Sequence, residues 1–487
     1  MTDSTASHGL RTLAARTFAV AGTLLLGACN LGPHYHRPDI PAPATWTPVT
    51  QESAPTGPTA PENSGWPDTQ WWVAFGSPEL NRLINAAELA NDDLKAAVAR
   101  VQQADAEVRI ATAPLLPTLG GNFSPVRTRQ ILPQPPGNPL TVNTFTASLT
   151  AGYELDFWGH NAALRAAALA QDAGSRYDRE TVQLSMLASV ATTYFTILSL
   201  RDRITVATND LTNERQTLRG LQFEQSVGTA TALDVAQQQA EVDTEDAMVP
   251  ALRAQLSHNL VALAILLGVG PEELKLGDGT LQQITAPAVT TGLPAGLLTR
   301  RPDVASAEAQ LIAANANVRA ARAAFFPTIQ LTAGGGVESL ALSTLLEPGS
   351  RIFDLGASLT QPIFEGGLLA GQYAQTKGRY QELLADYHKA VISAFDNTQD
   401  SLTQVHQTAE QLIRQERATA SAQRAYDFSQ AQFHAGTINI LTVLTTETTL
   451  LTAQDTQAQV RLANLSALVG LYQALGGGWD TQQEQAP

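Results

Sequence analysis

The chain repeats itself, and the repeat limits what it can build. RPDVASAEAQLIAANANVRAARAAFFPTIQL, starting at Arg301, copies an earlier helical segment and its terminating proline. Pro327 answers Pro117, while Ala316, Val318, Ala321 and Ala323 answer Ala106, Val108, Ala111 and Ala113. QPIFEGG answers YELDFWG, with Phe364 and Gly366 against Phe157 and Gly159. Gly436-Thr437 through Leu441 and Val443 answers Gly228-Thr229 through Leu233 and Val235, and the run from Arg461 to Gly476 answers Arg253 to Gly268. The offsets, 210, 207 and 208, stay nearly constant across half the chain, which therefore holds two copies of one unit. Each copy reads helix, strand, strand, long helix, returning helix, further helix.

The strands carry a strict period. From Phe145 to Leu155 the odd positions are Phe145, Ala147, Leu149, Ala151, Tyr153 and Leu155, and the even ones Thr146, Ser148, Thr150, Gly152 and Glu154. A period of two puts all apolar groups on one face and all polar groups on the other. About eleven such residues suit a tilted strand crossing a bilayer, although alternation alone equally describes a half-buried strand in a soluble sheet. Four strands are expected, at about 118–126, 142–157, 327–339 and 352–363, two in each copy. Four are too few to close a barrel, so strands that met lipid would need other copies of the chain to cover their edges. Gly334-Gly335-Gly336 in the third strand points to a bulge or a close approach.

Long helices fill the rest, at 160–267 and 366–475, and alanine-rich positions suit close axis spacing. Ser77-Pro78 opens an earlier helix expected to run to about Ala113. Arg201-Asp202-Arg203 interrupts the apolar pattern and reads as a turn, and Gly228-Thr229 as a break. Gln237, Gln238, Gln239, Thr445, Thr446 and Thr448 suit either a wet lining or an outer face. No apolar run after residue 29 exceeds about ten residues, so a membrane-spanning part must be made of strands. The first copy occupies 77–270 and the second 300–479, joined by a linker at 271–299 and followed by a tail at 480–487.

Arg11 and Arg16 precede the short apolar run FAVAGTLLLGAC, which places a signal peptide at 1–28. Leu26-Gly27-Ala28-Cys29 resembles the lipobox of a bacterial lipoprotein, which implies diacylglyceryl and N-acyl groups on Cys29; Asn30 next, where an Asp would suggest inner-membrane retention, allows sorting to the outer membrane. Residues 29–76 are proline-rich and read as an extended strap. His34 and His36 lack further ligands, and no metal site is expected. A net charge of -15 speaks against a nucleic-acid partner, and none is expected. No G-x-S-x-G, Walker loop, H-E-x-x-H or paired cysteine is present, so neither catalysis nor a cofactor other than covalent lipid is expected.

LGAC followed by GPHYHRP, WW with Phe75, LLP, YELDFWG, RRPDV, AFFP, QPIFEGG, YHKAVISAF and the closing LGGGW cover nearly the whole chain in order. Together they resemble the TolC-like outer-membrane factors, within them the lipoprotein branch attached to resistance-nodulation-division pumps. The resemblance implies a mainly α fold with a four-stranded antiparallel contribution per chain. Three chains would form one 12-stranded outer-membrane barrel continued by a coiled helical tunnel through the periplasm. It implies a homotrimer working with a periplasmic adaptor and an inner-membrane pump, as the exit duct for small molecules. Phe145, Leu149, Tyr153 and Leu155 would then face lipid. Hairpin tips would close the tunnel, placed by this resemblance near Arg201, Asp202 and Arg203 and near Asp400 to Gln411. Asp396 and Asp400 share a helix face as a candidate acidic ring, with Tyr387 and the Arg201–Arg203 triplet as links. A type I secretion channel and a scaffold lipoprotein that never inserts remain open at this point.

Overall fold

The computed structural model describes residues 35–41, 69–131, 139–287, 301–477 and 479. Cys29, His34 and the expected signal peptide, much of the strap and most of the linker lie outside these. The elements are α1 (Pro78–Ala90), α2 (Asp92–Thr112), β1 (Thr118–Ile131), β2 (Pro139–Leu155), α3 (His160–Ser226), α4 (Ala232–Leu266), α5 (Pro302–Ala323), β3 (Thr328–Ser339), β4 (Arg351–Thr360), α6 (Leu368–His434) and α7 (Ile440–Ala474). They fold as two compact units, and α2, α3, α5 and α6 contribute residues to both.

One unit holds the sheet, ordered β1-β2-β3-β4 and antiparallel throughout. Each copy of the repeat supplies a hairpin, and the β2–β3 ladder, Phe145↔Ser339 to Leu155↔Ile329, joins the two. The register runs through Gly334, Gly335 and Gly336 without a bulge. Close approach is the reason for glycine there: a Cβ at Gly336 would stand 2.3 Å from the Ala147 carbonyl oxygen. Residues 35–41 carry no regular secondary structure, as a proline-rich strap should.

The other unit is helical. Its main core gathers Trp71, Trp72 and Phe75 of a short 3-10 turn with Leu80, Leu83 and Ile84 of α1, Phe195 of α3 and Leu465 of α7. Leu200, Ala207, Leu211 and Leu218 of α3 meet Val242, Val249 and Leu252 of α4 in a second core. Their spacings of seven and four, or seven and three, are those of a coiled-coil seam.

Three expectations are corrected here. The first helix does not run unbroken from Ser77: Asn91 takes an extended conformation, with its Oδ1 accepting from the Leu94 N–H and its Nδ2 donating to the Leu266 carbonyl. The side chain gives α2 its N-terminal acceptor, so a break costs little. Arg201–Arg203 is not a turn, because α3 continues through it to Ser226. Thirdly, α3 and α4 do contain 18-residue windows apolar enough to cross a membrane by length and composition, at mean hydropathies of 1.3 and 1.2. Alanine raises these averages without forming long apolar runs, and half of the α3 window is already buried within the protein.

Candidate channel wall and hairpin ends

Because residues opposite one another in an antiparallel ladder share a face, the register extends the alternation of β2 across the sheet. Leu119, Ala151, Ala333 and Leu355 form one row, Gly121, Leu149, Gly335 and Phe353 the next, and Tyr153, Leu331 and Ala357 another. Phe145 opens this band and Leu155, with Ile329 and Leu359, ends it. The face is uncovered within the chain: Leu149 is 59% exposed, Leu355 79% and Phe353 85%. The four residues expected to face lipid thus share one face with the apolar residues of all four strands.

Both limits of the band are marked. Arg127, Arg129 and Arg351 continue the apolar parity at one end, opposite Asn143, Thr141 and Val337. At the other, Trp158 donates from Nε1 to the Pro327 carbonyl at 2.8 Å and stacks on Phe326 at 4.8 Å, with Phe157 edge-on to it. YELDFWG and AFFP, from the two repeats, therefore form one aromatic cluster where the strands end. Gly159, at φ +73°, turns the chain, and Asp156 then accepts from the N–H groups of Asn161 and Ala162 to cap α3.

The opposite face is mainly polar in its middle rows, with Val126, Leu140, Val142 and Ile352 toward the end away from the aromatic cluster. Thr118, Gly152, Thr332 and Gly356 form one row, and the Thr146 hydroxyl donates to Glu338 at 3.2 Å. Gly334 leaves the space that Asp354 fills, since a Cβ there would meet its Oδ1 at 2.2 Å. Such a face suits water and small solutes.

At the far ends of the helices, two turns are built alike. Gly228 and Gly436 take φ of +81° and +70°, Thr229 N–H donates to Glu224 O and Thr437 N–H to Gln432 O, and Thr231 and Asn439 cap the returning helices. These are the hairpin ends; the sequence marks Gly228-Thr229 as a break, but the tips were expected near Arg201–Arg203 and near Asp400 to Gln411. Asp400 is not at one: about 50 Å of helix, at 1.5 Å per residue, separates it from the end of α6 at His434.

The structure gives the other candidates separate partners. Asp396 and Asp400 are exposed, and Asp400 accepts from Gln404 at 2.7 Å. Tyr387 is 3% exposed and accepts from Arg37 of the strap at 3.1 Å, while Arg37 pairs with Glu308 at 2.9 Å. It anchors the strap. Arg201 donates to the Gly277 carbonyl and Asp202 accepts from the Leu281 N–H, so both fasten the segment after α4. Burial raises the Asp202 carboxyl above its ordinary value. Arg203 does link the repeats, through a two-bond pair with Asp455 of α7 at 2.5 and 3.3 Å. Gln238 is fully buried rather than wet, whereas Thr445, Thr448, Thr449, Thr452 and Thr456 line an open groove.

The family model described as outer membrane efflux protein matches residues 83–269 and 293–477, two segments offset by 210 at their starts and 208 at their ends. Those are the offsets of the internal repeat. The pyoverdine export outer membrane protein OpmQ of Pseudomonas aeruginosa is 40% identical over 474 residues, spanning 96% of this chain and 97% of its own. The toluene efflux pump outer membrane protein TtgF of Pseudomonas putida is 34% identical, over 96% of this chain and 98% of its own. Among solved structures, the outer-membrane channel OprN superposes with a TM-score of 0.83 at 26% identity, over 93% of this chain and all of that one. The CmeC channel of Campylobacter jejuni reaches 0.86 at 23%, over 94% and 96%.

Proposed function

We propose that this chain, which belongs to the outer membrane efflux protein family, is one of three protomers that close a 12-stranded barrel and form the passive exit duct of a tripartite pump. It has the TolC-like fold and is the outer-membrane channel component of an efflux system, with a periplasmic extension. The observation that carries the trimer is the sheet itself. Four strands bare an apolar face, leave the outer edges of β1 and β4 unpaired among the described residues, and cannot curl into a barrel alone. Three copies would pair each β4 with the next β1 and satisfy every edge. Insertion is tested by conductance in planar bilayers together with heat-modifiable migration on gels; absence of both would leave a scaffold that never inserts.

A duct needs no chemistry of its own. The energy comes from an inner-membrane pump of the resistance-nodulation-division type, reached through a periplasmic adaptor, and the pump rather than the duct selects the cargo. Relatives named for pyoverdine and for toluene suit that division of labour. Co-purification of an adaptor and such a pump supports this assignment, and recovery of an ABC transporter in their place assigns the duct to type I secretion.

The lipid on Cys29 anchors the strap to the inner leaflet. Cys29→Ser abolishes incorporation of labelled palmitate while single-channel conductance stays at the native value; labelled variant protein would remove the thiol from this role.

The gate belongs at the hairpin ends. Attaching a bulky cationic reagent to a cysteine introduced as Thr437→Cys changes open probability several-fold, whereas Asp400→Ala leaves block by divalent cations unchanged. Loss of block in Asp400→Ala would return the gate to the middle of α6.

A further inference from the structure

Some 18 Å of helix before the end of α3, α3 and α7 bring together acids that nothing yet described uses. Carboxylate oxygens of Asp210 and Glu214 on α3 and of Glu447 on α7 all lie within 4.8 Å of one another. Glu214 is 1% exposed, and neither of its oxygens has a hydrogen-bond partner. Among the described residues no Lys, Arg or His forms an ion pair with any of the three; the neighbouring Arg215 pairs instead with Asp246 at 3.0 Å. Three neighbours are already engaged: Tyr426 of α6 donates to Glu447 at 3.0 Å, Glu245 of α4 shares a side-chain hydrogen bond with Asp210, and Gln238 of α4 donates to the Glu214 main-chain carbonyl, leaving its own buried Oε1 without a partner. Burial, reinforced by the surrounding acids, pushes Glu214 up to about 8 and Glu447 up to about 7. Buried carboxyl groups that converge with unpartnered oxygens are relieved either by taking up protons or by a shared cation, and a cation that displaces the protons would satisfy all three at once.

We propose that Asp210, Glu214 and Glu447 hold one hard divalent cation of the Ca²⁺ class inside each protomer, clamping α3 of the first repeat to α7 of the second near their hairpin ends. The donor set is all oxygen, as such cations require, and two oxygens on opposite sides of a Ca²⁺ ion stand about 5 Å apart at ligand distances of 2.3–2.6 Å. Zinc and copper, which favour imidazole and thiolate, find neither here. The site lies within one chain, away from the exposed Asp396 and Asp400, and does not depend on whether the strands close a barrel.

Terbium tests this directly, because Tb³⁺ replaces Ca²⁺ and Tyr426, bonded to Glu447, is placed to sensitise its luminescence. The full-length protein, stripped with EDTA in detergent, takes up one Tb³⁺ per chain with a saturable signal that Ca²⁺ displaces, and Ca²⁺ raises its Tm by several degrees. Glu214→Gln and Glu447→Gln weaken both effects at least tenfold while helical circular dichroism is kept, and Asp396→Asn with Asp400→Asn leaves them unchanged. A native protein with neither a saturable signal nor a Ca²⁺-dependent Tm overturns the site, even if the glutamine variants fail to fold. So does a signal that survives in Glu214→Gln or disappears in the Asp396/Asp400 variant.

Discussion

Leu149→Arg is expected to remove the assembled channel from the outer membrane, while Thr150→Arg, one residue on, leaves it there. Leu149 sits near the middle of the apolar band, in a row with Gly121, Gly335 and Phe353, and is 59% exposed. An arginine facing lipid at the midplane of a barrel costs about 2–4 kcal/mol, and a trimer would bear it three times. That is comparable to the net stability of a whole domain. Thr150 lies on the other face, opposite Gly120 and Gly334 and beside the space that Asp354 occupies. A guanidinium there meets water and an acid, so assembly persists and cation preference falls. Abundance of the heat-modifiable form in outer-membrane fractions measures the first effect, and reversal potentials in a salt gradient the second. Equal abundance of both variants would mean that this sheet does not face lipid.

What the sequence revealed was what short-range pattern can carry. The parity of Phe145 to Leu155 survives as an apolar face across four strands, because alternation needs only the pleat. Gly228-Thr229 was legible as a break, and Gly436-Thr437 as its copy, because a left-handed residue after a helix favours glycine, although the resemblance placed the hairpin tips at neither. Arg201-Asp202-Arg203 misled for the opposite reason. Charged residues inside a helix look like a surface turn until their partners are known, and Gly277, Leu281 and Asp455 lie 76 to 252 residues away. The placement of Asp400 near a hairpin end came from the family resemblance of YHKAVISAF and the residues after it, which does not fix where a 67-residue helix ends. Asn91 also broke a helix that its neighbours continued, through a bond to Leu266 that no local pattern contains. The acidic cluster left a faint signal: Asp210 with Glu214, and Glu241 with Glu245, are like-charge pairs spaced i,i+4 on their helices. Convergence with Glu447, more than 200 residues on, depends on how α3 and α7 pack.

The joint between the repeats gives the second large effect. Within one chain the two hairpins are held together by the β2–β3 ladder, and Gly336 is where its strands come closest. A Cβ there would stand 2.3 Å from the Ala147 carbonyl oxygen and 2.7 Å from the Ser148 Cα, both backbone atoms that cannot swing aside. Gly336→Ala therefore forces the ladder apart, at a cost at or above the upper end of the 1–3 kcal/mol typical of overpacking. Gly335, one residue earlier, meets nothing within 4 Å, and Gly335→Ala gains a methyl group on the apolar face without conflict. Gly334 is intermediate, because the obstacle there is the movable carboxylate of Asp354. The order of damage is therefore Gly336→Ala, then Gly334→Ala, then Gly335→Ala. It should appear as falling yield of folded protein and falling Tm for the first two, with Gly335→Ala close to native. A ladder that tolerated alanine at 336 as well as at 335 would mean that β2 and β3 pair in another register, and the rows assigned to lipid and to water would lose their basis.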